Sequence, residues 1–355
     1  MPYLDLGRNA AVMRAELEDA FAAVLARGRF VGGTAVERFE ERWSDWCRAP
    51  YAVGVNSGTD AIALALRALG VEAGDEVITA ANTCVATVTG IAAAGATAVL
   101  ADVDPERWTL DPASARAAVT GRTRAVVPVH LYGQCVELKP LRALGLPVVE
   151  DAAQAHGTEY RGERRGELAA YSFYPTKNLG ALGDAGAVVT SDGELAERLR
   201  MLRSHGERAE ARGVAVVKGV NSRLDDLQAE ILLRKVERLD AWNERRRELA
   251  AFYLERLADA GVVLPVEAEG TKHSWHLFVV LVEERDAFRA RLRERGVETL
   301  VHYPEPIHRQ PAYGHLPRVE VPVAERLCER VVSLPLYPEL TDAEAEQVVE
   351  AVLEA

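Results

Sequence analysis

Cysteine is scarce and unpaired in this sequence. Its 355 residues hold four, Cys47, Cys84, Cys135 and Cys328, and no CxxC spacing. That argues against a disulfide framework or a structural zinc site and predicts reduced thiols in an intracellular, cytoplasmic protein. Positive charge is also in deficit: 42 Lys and Arg against 54 Asp and Glu leave a net −12. Neither nucleic acid nor an anionic membrane is therefore an expected partner, although a local basic pocket stays open to an anionic substrate. No stretch of about 18 uncharged apolar residues occurs, so no membrane span is expected. Asp5, Arg8, Arg14, Glu16 and Glu18 near the start argue against a signal peptide. The GxGxxG dinucleotide fingerprint is missing too, since GALGDAG at 180–186 has the wrong spacing and no strand directly before it. No metal site, repeat or low-complexity tract is expected.

What is present is ordinary globular composition, with 48% hydrophobic residues and enough length for two to three domains. From about 51 to 190, short apolar runs alternate with Ala- and Leu-rich stretches. Tyr51 to Val55, Glu76 to Thr79, Ala98 to Ala101, Ala125 to Val129 and Val148 to Glu150 read as buried strands. Helices are expected over 59–69, capped by Ser57 or Thr59 and closed by Gly70, and near 84–94, 112–119 and 137–144. Near-continuous apolar strands separated by helices predict an α/β fold with a mostly parallel sheet covered on both faces. Ligands of such sheets sit beyond the carboxyl ends of the strands. A helical region follows from about 222 to 257. Beyond Gly261 come a strand-like run at 275–282, a charged helix at 285–295, a Pro-rich stretch over 304–338 and a last helix near 341–353. The expected division is a large domain over 1–240 with an N-terminal arm, and a small α+β domain over 241–355.

Three segments could carry chemistry. Asn56-Ser-Gly-Thr-Asp60 joins a strand to a helix, where free N–H groups and a glycine favour an anion. On its own it reads more readily as a plain helix cap with a turn glycine. Asp151 ends the strand VVED, and a carboxylate buried there needs a partner such as a protonated ring nitrogen. Gln154 and His156 lie just beyond it as further polar groups. Lys177, in SFYPTKNLG, follows a short β-like run. A lone lysine there is ordinarily a solvated residue, but an anion cradle, an acidic strand end and a lysine at one sheet edge fit a lysine amine condensed with a cofactor aldehyde.

NSGTDAI, EDAAQAHG, SFYPTKNLG, GVNSRLDDLQAE and HYPEPIH, in this order, resemble the DegT/StrS family of sugar aminotransferases over nearly the whole chain. The resemblance implies a fold-type I, pyridoxal 5'-phosphate (PLP) dependent transferase of the aspartate aminotransferase fold, with 1–240 as its PLP-binding domain. It implies Lys177 as the Schiff-base lysine and proton carrier, and Asp151 as the partner of the pyridine nitrogen. Gln154 would lie against the cofactor ring, while Gly58, Thr59, Asp60 and Ser172 would hold the phosphate. Asn221 would reach that phosphate from the neighbouring subunit, which implies a homodimer with shared active sites. The segment Asn82 to Thr87 departs from the family pattern, because Cys84 stands where an aromatic residue ordinarily stacks on the cofactor. That exchange is expected to weaken cofactor retention unless another residue fills the gap. The lysine itself favours amino transfer over sugar dehydration, where histidine takes its place.

The same resemblance implies a nucleotide-linked keto sugar as acceptor and an amino acid, L-glutamate, as donor. The motif forms lean towards enzymes that aminate C3 of dTDP-linked 3-keto-6-deoxyhexoses. C4 amination, UDP-linked keto sugars and keto-cyclitols are the alternatives within the chemistry. A PLP-binding regulatory protein without turnover is the alternative outside it. His302, Tyr303 and His308 would contact sugar or nucleotide, and Lys218 and Arg223 would neutralise the diphosphate. Read from the residues alone, these five are packing residues and helix-end charges. Tyr174 and Trp275 are candidates for the pocket wall, with core packing as the plainer reading.

Overall fold

A computed structural model describes residues 1–162, 164, 167–208, 210–211 and 213–355. Its centre is a mixed sheet in two hydrogen-bonded parts. One runs in the order Tyr51–Val55, Gly186–Thr190, Leu168–Ser172, Glu150–Asp151, and the other Thr97–Ala101, Glu76–Ala80, Thr123–Val127. Single bridges from Val126 to Val148 and from Val129 to Asp151 join the parts into one seven-stranded layer. All neighbours are parallel except Gly186–Thr190, which pairs antiparallel on both sides. The fold is therefore α/β, with a mainly parallel sheet as expected.

The strands are short because each is buried across most of its length, and apolar five-residue runs satisfy their backbone only through the ladder. The helix Gly58–Ala68 covers one face with Ala61, Ile62, Leu64, Ala65 and Leu66, and starts where Ser57 Oγ accepts the Asp60 N–H at 3.1 Å. The opposite face packs under the Thr34–Cys47 helix, whose Phe39 and Trp43 meet Tyr171 and Phe173 edge-on. A third apolar cluster gathers residues from Leu249 to Val352, with Met1 and Leu4 packed against it. It surrounds the antiparallel pair Phe278–Leu281 and Val331–Leu334.

Several boundaries differ from expectation. The region 222–257 is two helices, Asp226–Val236 and Leu239–Arg256. Residues 221–223 stay non-helical because Asn221 bridges to Ser204 and Ser222 donates to Asp60. The strand near 148 keeps only Glu150–Asp151 in regular pairing. The run at 275–282 narrows to Phe278–Leu281, since Trp275 adopts a left-handed φ of 46° and cannot continue a ladder. Inside the Pro-rich stretch lie a helix, Pro322–Arg330, and the strand Val331–Leu334.

A candidate active site at the carboxyl ends of the strands

Because Tyr51–Val55, Glu150–Asp151 and Leu168–Ser172 run parallel, their carboxyl ends deliver Ser57, Asp151 and Ser172 to one edge. Close backbone approach there requires glycine. A Cβ on Gly58 would lie 2.5 Å from Ser172 Cβ, and one on Gly186 would lie 2.4 Å from the Ser57 carbonyl carbon. The result is a cradle at the N-terminus of an eleven-residue helix, with the Ser172 hydroxyl beside it. Thr59 and Asp60 are half-buried on its first turn. Asp60 Oδ2 accepts the Ser222 hydroxyl at 2.7 Å, and Ser222 Oγ accepts the Asn56 N–H at 3.1 Å. This chain's own Asn221 is exposed next to that link.

Consecutive carboxylates at one strand end serve opposite faces of the sheet. Glu150 Oε2 meets His130 Nε2 at 2.9 Å. Asp151 Oδ2 accepts the Thr87 hydroxyl at 2.7 Å, and its Oδ1 accepts the Ala153 N–H at 3.1 Å. Asp151 is 4% exposed and forms no ion pair within 4.0 Å among the described residues. Burial raises its carboxyl above the usual range, against the Thr87 and Ala153 hydrogen bonds and the charge of Lys177. Thr87 was not singled out from the sequence, although the quoted segment Asn82 to Thr87 contains it.

Lys177 sits in a tight turn. Its N–H donates to Tyr174 O at 2.8 Å, and a Cβ on Gly180 would fall 2.3 Å from Pro175 O. Lys235, itself buried, holds the turn by donating to Gly180 O at 2.8 Å. Burial pushes the Lys177 ammonium below the usual lysine range, with Cys84 and Asp151 partly offsetting it. The imidazoles around it are neutral for the same reason. His156 is held down at about 3 and His302 at about 4, chiefly by burial and then by the Lys177 charge. His276 also lies well below its ordinary value. His156 has no well-formed hydrogen bond at either ring nitrogen and nests among Trp43, Tyr171 and Phe173.

Gln154 is fixed at both ends: Oε1 accepts the Tyr132 N–H at 2.6 Å and Nε2 donates to Tyr303 Oη at 3.1 Å. The Tyr303 hydroxyl also reaches the Cys84 thiol, and burial raises its pKa well above the usual phenol value. A ring from a distant segment thus stands at Cys84. His302 Nδ1 pairs with Ser333 Oγ at 2.8 Å. His308 instead turns to Glu325, with Nε2 at 2.8 Å from Oε1. Lys218 is exposed, and its carbonyl accepts from Arg67. Arg223 lines a broad cavity of about 800 Å³ with Arg29, Glu40, Arg203 and His205, to which Lys177 does not contribute. Trp275 is core, stacked between His273 and Phe278, whereas Tyr174 is 50% exposed.

The residues present suit a PLP-type cofactor. A cradle that a methyl would fill meets the phosphate's needs, and a buried carboxylate in no ion pair among the described residues meets those of a protonated ring nitrogen. The amine of Lys177 completes the set. No helix of the described chain is long and apolar enough to cross a membrane.

Comparison with known proteins agrees with this geometry. The sequence profile of the DegT/DnrJ/EryC1/StrS aminotransferase family matches residues 12–353. The chain is 48% identical to the dTDP-3-amino-3,4,6-trideoxy-α-D-glucose transaminase of Streptomyces venezuelae, covering 100% of this chain and 96% of that protein. It is 43% identical to a protein of Geobacillus stearothermophilus named pleiotropic regulatory protein, covering 100% and 98%. Among solved structures, S. venezuelae DesV in complex with a ketimine intermediate superposes with a TM-score of 0.97 at 49% identity, covering 99% of this chain and 97% of that one. NtdA of Bacillus subtilis, with bound cofactor PMP, superposes at 0.92 with 33% identity, covering 100% and 85%.

Proposed function

We propose a substrate and a role for each site residue from the fact that this chain belongs to the DegT/DnrJ/EryC1/StrS aminotransferase family. It is a PLP-dependent nucleotide-sugar aminotransferase. Its reaction moves an amino group from an amino acid, L-glutamate, to C3 of a dTDP-linked 3-keto-6-deoxyhexose. The observation that carries the chemistry is Asp151, a buried carboxylate in no ion pair among the described residues, within electrostatic reach of a Lys177 amine that burial pushes below the usual lysine range. The sugar is supported by full-length identity to a dTDP-3-amino-sugar transaminase.

When bound, the cofactor supplies an aldehyde that holds the amino group between donor and acceptor and a ring that draws electrons from the carbon being deprotonated. Asp151 pairs with the ring nitrogen, and Thr87 and Ala153 fix its orientation. Ser172, Gly58, Thr59 and Asp60 hold the phosphate, with Asn221 reaching it from a second copy. Lys177 Nζ takes a proton from one carbon and returns it to another. Gln154 lies against the ring and positions Tyr303, which with His302 borders the sugar. Lys218, Arg223 and His308 serve the nucleotide end. Exposed Phe21, Leu25, Phe30, Val214, Val216 and Val220 support a homodimer as the working form.

The test is amino transfer by the holoenzyme from L-glutamate to a panel of dTDP- and UDP-linked 3- and 4-keto sugars, read by mass spectrometry of the sugar product. A dTDP-3-amino sugar is the expected product. Preference for a 4-keto or UDP-linked acceptor overturns the sugar assignment. The relative named as a regulatory protein favours a second reading, in which the cofactor is bound without turnover. Cofactor uptake with no product from any acceptor would establish that reading.

A further inference from the structure

Lys177 and Asp151 stand on segments that part beyond the sheet. Asp151 is still paired with Ala170, and the Ala152 N–H donates to Ala170 O at 2.9 Å. Past that point no backbone hydrogen bond joins residues 153–158 to 174–180 among the described residues. Side-chain amides bridge the gap instead. Asn178, next to Lys177, and Asn243, on the Leu239–Arg256 helix, are both buried, and Asn178 Nδ2 donates to Asn243 Oδ1 at 2.9 Å. Asn243 Nδ2 donates in turn to His156 O at 2.8 Å, on the segment that follows Asp151. A parallel link runs through Ser274, whose carbonyl accepts from Asn178 Nδ2 at 2.9 Å while its hydroxyl donates to Gln154 O at 3.3 Å.

Two carbonyls settle how the amides are turned. His156 O and Ser274 O only accept, so each amide must offer them its nitrogen. That leaves Asn243 Oδ1 to accept from Asn178, and Asn178 Oδ1 to accept from His276 Nδ1 at 3.1 Å. Flipping either amide would set oxygen against oxygen, so the link has one arrangement. Gly157 lets the backbone approach it: a Cβ there would fall 2.3 Å from Asn243 Nδ2. On the same helix, buried Arg246 donates through Nη1 to the Trp275, His276 and Leu336 carbonyls at 3.2, 3.3 and 2.9 Å, which holds the stretch carrying Ser274 and His276.

This chain of amides runs from the neighbour of Lys177 to the segment behind Asp151. In a PLP-dependent aminotransferase those two side chains address opposite ends of one rigid ring, the lysine its aldehyde carbon and the carboxylate its nitrogen. Such groups must be held to within about 0.5 Å of their working geometry. We propose that Asn243, acting through the amide of Asn178, is a positioning residue that sets the separation of Lys177 from Asp151. This rests on the reading of those two as the cofactor's partners and adds what keeps them in register.

The experiment compares wild type, Asn178→Ala, Asn243→Ala and the double variant at saturating PLP. Asp102→Ala, which loses helix-cap bonds to Val323 and Ala324 outside this network, controls for lowered stability. Borohydride delivers hydride to the carbon–nitrogen double bond between Lys177 Nζ and the cofactor, leaving a single bond that survives digestion and is counted by peptide mass spectrometry. Per PLP bound, the fraction fixed on Lys177 should fall by about threefold or more in each amide variant, as misplacement of a reacting group predicts. The rate of 2-oxoglutarate release at saturating L-glutamate should fall by about 30-fold to 100-fold, with a larger deuterium isotope effect from α-deuterated donor. The KM values for L-glutamate and keto sugar should stay within about threefold. Because both amides act through one link, the double variant should be no worse than the worse single by more than about threefold. Trapping at the wild-type level, losses that multiply in the double variant, or the same losses in Asp102→Ala would overturn the proposal. A wild type in which borohydride fixes no PLP on Lys177 sinks the reading of Lys177 and the positioning role together. Normal trapping in the wild type with indifferent amide variants sinks the positioning role alone.

Discussion

Ser222 gives its hydroxyl proton to Asp60 at 2.7 Å across 162 residues of sequence, and so locks the loop before the first covering helix to the loop before Asp226–Val236. Ser222→Ala removes a hydrogen bond to a charged group, worth about 1.5–3 kcal/mol, and strands the Asn56 N–H. PLP affinity should fall by about tenfold or more, read by titration of the apoenzyme. An unchanged affinity would mean that the two loops hold their places independently.

Gly58→Ala puts a methyl 2.5 Å from Ser172 Cβ. Overpacking at such a contact costs about 1–3 kcal/mol. Both stability and cofactor affinity should drop, and Ser172→Gly in the same chain should restore part of the stability. Failure of that rescue would place the strain elsewhere.

Lys177 lies below its ordinary range because burial disfavours the charged amine. Between the folded value and the free-lysine value the unfolded chain binds more protons, so the apoprotein gains stability there as pH rises. Lys177→Met should accordingly be more stable than the parent near neutral pH, by a margin that closes towards the free-lysine range. In the parent apoprotein a neutral amine reagent should label Lys177 at lower pH than the exposed Lys139, Lys218 and Lys272, as peptide mapping would show. Lys177→Ala should abolish turnover.

Asp102 caps a helix it does not precede. Its carboxylate accepts the Ala324 and Val323 N–H groups at 2.8 and 3.0 Å, and Val321 offers that helix no side-chain cap. Asp102→Ala should cost about 1–2 kcal/mol in urea unfolding, as lost caps do, with little effect on donor KM.

The Tyr303 hydroxyl occupies the place beside Cys84. Tyr303→Leu should weaken PLP retention by about tenfold, at the upper end of what a ring contact contributes. Cys84→Ala should change it by less than about twofold. The reverse order would make the sulfur the retaining group.

That borrowed cap shows why some of the fold could not be read in advance. The strands from Tyr51 to Asp151 were legible because apolar runs between Gly- and Asp-rich turns announce themselves locally. The Pro322–Arg330 helix was hidden, since its N-terminal support comes from a strand end more than two hundred residues away. The chemistry-bearing residues Lys177, Asp151 and Ser57 to Asp60 lay in recognisable segments. Arg246 lay in none of them: it is buried because its Nη1 meets the Trp275, His276 and Leu336 carbonyls, contacts that no local pattern announces. Thr87 was likewise silent, as nothing in a Thr on a short helix tells which carboxylate it will meet.

The alternation of Glu150 and Asp151 sets a limit on how this site can change over time. One side chain belongs to His130 below the sheet, the other to Thr87 above it. Slipping the strand by a single residue would exchange them, burying the wrong acid on each side. Insertions and deletions are thus barred from Val148 to Asp151 far more strictly than substitutions. Lineages of this chain should vary in length almost anywhere before they vary there.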